Sequence, residues 1–107
     1  MFVVINELFV ADENRAVFER NFAASMKGTL PEVYGLCGAR LQRPTESDRG
    51  YLSILEFTDE QAYSAYLESN AFQAAHHWPD HAPIDGNRLS TYEVLTDIEP
   101  RREIPTA

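Results

Sequence analysis

Apolar residues dominate 2–10 (Phe-Val-Val-Ile-Asn-Glu-Leu-Phe-Val), and their β-branched and aromatic content predicts a strand. Alternation places Val4, Asn6 and Leu8 on one face, with Val3, Ile5 and Phe9 on the other. Asn6 is the odd residue, because an amide among apolar neighbours on a strand face needs a partner. From residue 12 the period changes. Phe18, Phe22 and Met26 recur every fourth residue with Val17 and Ser25 beside them, which predicts an amphipathic helix over 12–28. Asp12 is placed to cap it, Glu13 sits where the helix dipole favours an acid, and Gly28 is a natural stop.

Tyr34 to Arg43 reads as a second strand, in which Gly35 and Gly38 mark a bulge or a close backbone approach. A polar turn over 44–50 joins it to a third strand, Tyr51 to Phe57, so the pair predicts a hairpin. Thr58-Asp-Glu-Gln61 fits a capping box for a helix whose apolar side is Ala62, Tyr63, Tyr66 and Leu67. Ser69-Asn70 breaks that helix, since both side chains bond locally to backbone. A short helix from Ala71 then carries Phe72 and His76 at i and i+4, and ends near Trp78 because Pro79 disfavours helical geometry before it. Residues 80–87 read as a loop and Arg88 to Ile98 as the last strand.

The order β-α-β-β-α-α-β predicts a ferredoxin-like split βαβ fold of the α+β class, one antiparallel sheet with helices on one face. A single domain covers 1–98, followed by a tail over 99–107. Apolar residues occur on both faces of several strands, which predicts that a homodimer packs sheet against sheet.

Composition narrows the partners. Seventeen acids against nine bases give a net charge of −8, a surface that repels phosphate backbones and anionic membranes. No nucleic-acid or membrane role is expected. The single cysteine, Cys37, excludes an intrachain disulfide. No basic start followed by an apolar run marks a secretory signal, so the expected location is the cytoplasm. His77 and His81 stand at i, i+4 beside Asp80, but Pro79 lies between them and no zinc signature fits.

The run Ala65-Tyr66-Leu67-Glu-Ser69-Asn70-Ala-Phe72-Gln-Ala-Ala75-His76, with the junction at Phe57-Thr58 and the element order, resembles the antibiotic-biosynthesis monooxygenase (ABM) superfamily of dimeric α+β barrels. Within it the chain looks most like the IsdG-type haem-degrading monooxygenases. The resemblance implies that His76 is the axial ligand of haem iron and that Asn6 is the first-strand asparagine acting on the reacting oxygen. Tyr66 stands where that family has tryptophan; tyrosine is smaller and carries a hydroxyl that wants a partner. Haem would be both substrate and cofactor, electrons would come from an external donor, and iron would leave with the cleaved tetrapyrrole.

Beside that implication, the residues alone describe an aromatic slot drawn from Phe18, Phe22, Tyr66 and Phe72, with a neutral imidazole suited to iron. Together with the resemblance, which implies these roles, the candidate catalytic residues are Asn6, Tyr66 and His76, and the candidate haem-binding residues are His76, Asn6, Phe22 and Phe72. Arg15, Arg20, Lys27 and Arg88 are possible partners for the propionates. Two other readings use the same slot. One is a cofactor-independent monooxygenase oxidising an aromatic polyketide or quinol, with Asn6, Tyr66 and His76 acting through hydrogen bonds or proton transfer. The other is a non-enzymatic haem-binding dimer.

Overall fold

The alternating segment forms strand β1 (Phe2–Val10), and it is paired along both edges. The computed structural model describes residues 1–75 and 84–101, with side chains except at 73–75. After β1 come a 3-10 turn (Asp12–Asn14), helix α1 (Arg15–Thr29), the hairpin strands β2 (Leu36–Gln42) and β3 (Tyr51–Phe57), helices α2 (Glu60–Leu67) and α3 (Asn70–Ala75), and strand β4 (Ile84–Glu93). The sheet order is β2-β3-β1-β4, antiparallel throughout. This is the ferredoxin-like arrangement that the element order predicts. No helix among the described residues is long and apolar enough to cross a membrane.

Several boundaries differ from the sequence reading, each for a physical reason. Asp12 does not cap α1: Asn14 N–H bonds Ala11 O at 2.9 Å to close the 3-10 turn, and the Asp12 carboxylate lies 3.4 Å from Arg15 Nε. At the other end α1 runs through Gly28 to Thr29, whose hydroxyl donates to Ser25 O at 2.7 Å. Thr58 is not the cap of α2, because its N–H is already bonded to Gly35 O at 2.9 Å; the Asp59 carboxylate accepts from Ala62 N–H at 2.8 Å instead. β2 is shorter than Tyr34 to Arg43. Gly35 has φ +80, and a Cβ there would stand 2.5 Å from Ala62 Cβ, so the chain must turn against α2 before the strand starts. The register slips between Leu36 and Gly38, the bulge that the two glycines mark.

The last strand is displaced towards the N-terminus of its predicted range. β4 begins at Ile84, within what the sequence reads as loop, and ends at Glu93 rather than Ile98. Its last ladder contacts are with the start of β1: Glu93 pairs with Phe2, and Val94 N–H reaches Met1 O at 3.0 Å. Leu95 and Ile98 run past the sheet, 92% and 75% exposed. The strand also meets a register shift between Phe9 and Val10 at its start.

The pairing assigns faces. Phe2, Val4, Asn6 and Leu8 of β1 share the helix-side face with Tyr51, Ser53, Leu55 and Phe57 of β3. Two aromatic cores fill the layer between sheet and helices. Phe57, fully buried, contacts the rings of Tyr63 and Tyr66 at 5.5 and 5.6 Å. Phe18, also fully buried, packs on Leu8 and on Tyr51, at 4.8 Å between ring centroids. Val3, Ile5, Leu52 and Ile54 alternate onto the other face, where Ile54 is buried outside both aromatic cores.

One ionic group ties α1 to the hairpin. Arg43 donates from Nε and Nη2 to the two carboxylate oxygens of Glu19, at 2.8 and 2.5 Å, and Tyr51 O–H donates to the same carboxylate. The Arg15 guanidinium lies over the Tyr51 ring at 5.6 Å. The Arg43 hydrogen bonds, and then that of Tyr51, hold the Glu19 carboxyl at about 2, against an ordinary 4.5.

Two outcomes are expected. Phe57→Ala leaves a cavity in the larger core and costs about 3–5 kcal/mol, read from urea unfolding midpoints. Glu19 has a depressed pKa, so its contribution to stability is complete above about 4.5 and is lost as pH falls towards about 2. Across that window the wild-type chain loses stability that Glu19→Gln does not, by a modest margin because the pair faces solvent. Unfolding curves of the two proteins that fall in parallel with pH would contradict this assignment.

Candidate active site

Between the helix-side face of the sheet and α1, α2 and α3 lies a cavity of about 510 Å³. Its floor comes from β1, β3 and β4: Val4, Asn6 and Leu8, then Ser53 and Leu55, then Asn87 and Leu89. Its walls come from Phe22 and Met26 of α1 and Leu30 just after it, Tyr63 and Tyr66 of α2, and Phe72 of α3. No Asp, Glu, Lys or Arg stands among the described residues that line it. Two more grooves, of about 690 and 850 Å³, open on either side of the α1–β2 connection; both include charged side chains. Among the described residues, the cavity under the helices gathers polar groups on an apolar floor, the pattern expected of a small-molecule site.

Asn6 is placed by strand pairing alone. It stands opposite Ser53 on β3 and Leu89 on β4, so its side chain must project into the layer beneath the helices. The partner that the sequence reading requires is Asn87, whose Nδ2 donates to Asn6 Oδ1 at 3.1 Å. Ser53, directly opposite, is the one polar residue in the buried set.

Tyr66 and Phe72 are fixed by one hydroxyl. Ser69 Oγ donates to Tyr66 O at 2.6 Å and accepts from Phe72 N–H at 3.2 Å, which ends α2 and caps α3. The two rings then meet edge-on, centroids 5.5 Å apart and planes at 88°. Tyr66 is 5% exposed, and burial, with Tyr63 nearby, pushes its hydroxyl above the ordinary tyrosine range. It therefore stays protonated at neutral pH and remains able to donate a hydrogen bond.

Four of the residues singled out from the sequence, Asn6, Phe22, Tyr66 and Phe72, thus border one space. Phe18 does not belong with them: it is the centre of the second core, closed off by Leu8 and Tyr51. His76 lies outside the described residues, as do His77, Trp78, Pro79, Asp80 and His81. Among the described residues no group of three His, Cys, Asp or Glu could hold a metal ion. Of the proposed propionate partners, Arg15 is engaged with Asp12 and the Tyr51 ring, and neither it nor Arg20, Lys27 or Arg88 lines this cavity.

Sequence reasoning missed Ser53, Tyr63, Asn87 and Leu89. Ser53 follows from alternation once the β1–β3 register is known. Asn87 could be found only by recognising that β4 starts before Arg88.

Comparison with known proteins agrees with this architecture. The family model for antibiotic biosynthesis monooxygenases matches residues 1–78. No curated protein sequence matches the chain. Among solved structures, a mutant of MhuD with two manganese protoporphyrin IX molecules per active site superposes with a TM-score of 0.83, at 22% identity, over 94% of this chain and 100% of its own. The haem degrader MhuD from Mycobacterium tuberculosis, with two haems in its active site, gives 0.79 at 24% identity, over 92% and 100%. An antibiotic biosynthesis monooxygenase homologue from Deinococcus radiodurans gives 0.74 at 16% identity, over 94% and 99%. At these identities the likeness establishes the fold, while the family match covers most of the chain. On both grounds, this chain belongs to the antibiotic biosynthesis monooxygenase family.

Proposed function

We propose that this protein is a haem-degrading monooxygenase that opens the porphyrin and releases its iron. The observation that carries the reading is the convergence of Asn6, Phe22, Tyr66 and Phe72 on one uncharged, aromatic-walled cavity. Family membership supports it, as do neighbours of the same fold that hold haem or a manganese porphyrin. The apolar walls suit the face of a porphyrin, and its propionates are met by residues other than the described lining.

Haem, when bound, supplies the oxidative chemistry, and the protein supplies ligand, shape and polarity. Phe22 and Phe72 provide flat apolar contact and exclude water. Asn6 offers amide hydrogens as a donor already held in place, which spares reorganisation when the ligand arrives. Tyr66 keeps its proton, so it orients an oxygen atom of the substrate rather than removing a proton from it. His76 follows α3 directly in sequence and is the residue we assign to the iron, as a neutral imidazole. Electrons come from an external donor. Two copies pair through the uncovered sheet face to form the working dimer, and the expected location is the cytoplasm.

A second reading keeps the same cavity and oxidises an aromatic polyketide or quinol without haem. The described lining residues, none of them charged, favour it, since such a substrate is neutral. In that case Asn6 and Tyr66 act on the substrate's own oxygens.

Titration of the purified chain with haemin separates the readings. The haem reading expects a shifted Soret band that is lost in His76→Ala, and ascorbate-driven loss of that band in air. Asn6→Ala is expected to bind haemin while turnover falls by roughly 10²-fold. An unshifted Soret band in the wild type, together with oxygen uptake on a quinol by haem-free protein, would decide for the second reading. Asn6→Val should melt at a higher temperature than the wild type while turning over more slowly, because valine suits a central strand and the amide there serves the ligand.

A further inference from the structure

We infer that Asn87 is a positioning residue, holding the Asn6 amide by its oxygen so that the N–H₂ end is what the ligand meets. This rests on the role given to Asn6 above and adds the group that sets its direction. In the β1–β4 register Asn6 pairs with Leu89 and Asn87 pairs with Leu8, so Asn6 and Asn87 are diagonal neighbours on one face. Side chains at that spacing are within reach of each other. Asn87 Nδ2 donates to Asn6 Oδ1 at 3.1 Å, and both residues border the cavity.

A carboxamide carries an acceptor at one end and two donors at the other, on a rigid plane. When the oxygen is bound to Asn87, the amide hydrogens of Asn6 remain for the cavity. Ser53, across β3, imposes no direction, because a hydroxyl accepts as readily as it donates. The apolar neighbours Val4, Leu8 and Leu89 cannot discriminate between the two ends of the amide. Among the described residues, it is the hydrogen bond from Asn87 that gives the Asn6 amide its direction. Exchanging donor for acceptor there would keep the contact and reverse what the ligand sees.

Asn87→Asp performs that exchange, since a carboxylate only accepts. Asn6 must then turn its N–H₂ end towards position 87 and offer its oxygen to the cavity. Asn87→Ala leaves the amide unheld. The contact itself is tested without ligand, by thermal melts of Asn6→Ala, Asn87→Ala and the double variant. Non-additive losses are expected; additive losses would overturn the inference.

Direction is tested in the ferrous haem complex with carbon monoxide as probe, following the C–O stretch. A donor lowers that frequency, so the wild type should lie below Asn6→Ala. Asn87→Asp should rise to the Asn6→Ala value, with turnover reduced by roughly 10²-fold and little change in haemin affinity. An Asn87→Asp stretch equal to the wild type, in a protein that melts normally, would overturn the assignment. A wild-type chain that leaves the Soret band of haemin unshifted would remove the haem reading alone, and the melting cycle would still decide whether the two amides act together.

Discussion

Everything in this protein depends on β1 being hydrogen-bonded along both edges. With β3 on one side and β4 on the other, the backbone of residues 2–8 is held on both sides, and the two-residue period decides which side chains enter the layer below the helices. A slip of one residue would send Phe2, Val4 and Leu8 to the uncovered face and remove Asn6 from the cavity. The burial of those three apolar residues therefore maintains the position of the amide. The hydrophobic effect does the positioning, and the polar group is carried with it.

The helices add the second constraint. α1 is fastened at one end by Phe18 in its core and by the Glu19–Arg43–Tyr51 group, away from the cavity. α2 and α3 are separated by Ser69, which bonds backbone on both sides of the break. That break allows Tyr66 and Phe72 to approach one another edge-on, which a continuous helix would direct differently. Rigid elements thus surround a space whose walls are aromatic and whose floor carries an amide, a hydroxyl and a second amide.

Much of this was legible in the sequence. The face of β1 bearing Asn6, the hairpin, the Ser69-Asn70 break and the bulge glycines all follow from local chemistry that the tertiary structure does not override. The family resemblance is also borne out, over residues 1–78. What failed to show in the sequence were properties settled by partners distant in the chain. The end of β4 depends on where β1 begins, ninety-odd residues away, and nothing between Arg88 and Ile98 signals it. The cap of α2 moved from Thr58 to Asp59 because Gly35 had already taken the Thr58 N–H. Phe18 looked equivalent to Phe22 on the helical stripe, yet one is sealed by Tyr51 and the other borders the cavity. Asn87 was hidden by the same error that misplaced β4.

The contrast between a cavity whose described lining carries no charge and a chain carrying −8 affects the kinetics of ligand capture. An anionic molecule diffusing towards such a protein climbs a repulsive potential on approach, yet meets no charged side chain among the described walls once inside. Added electrolyte shortens the range of the field to roughly 10 Å at 0.1 M. Arrival should therefore quicken as salt is raised while departure stays nearly constant, the reverse of the behaviour of a basic pocket that attracts its anion.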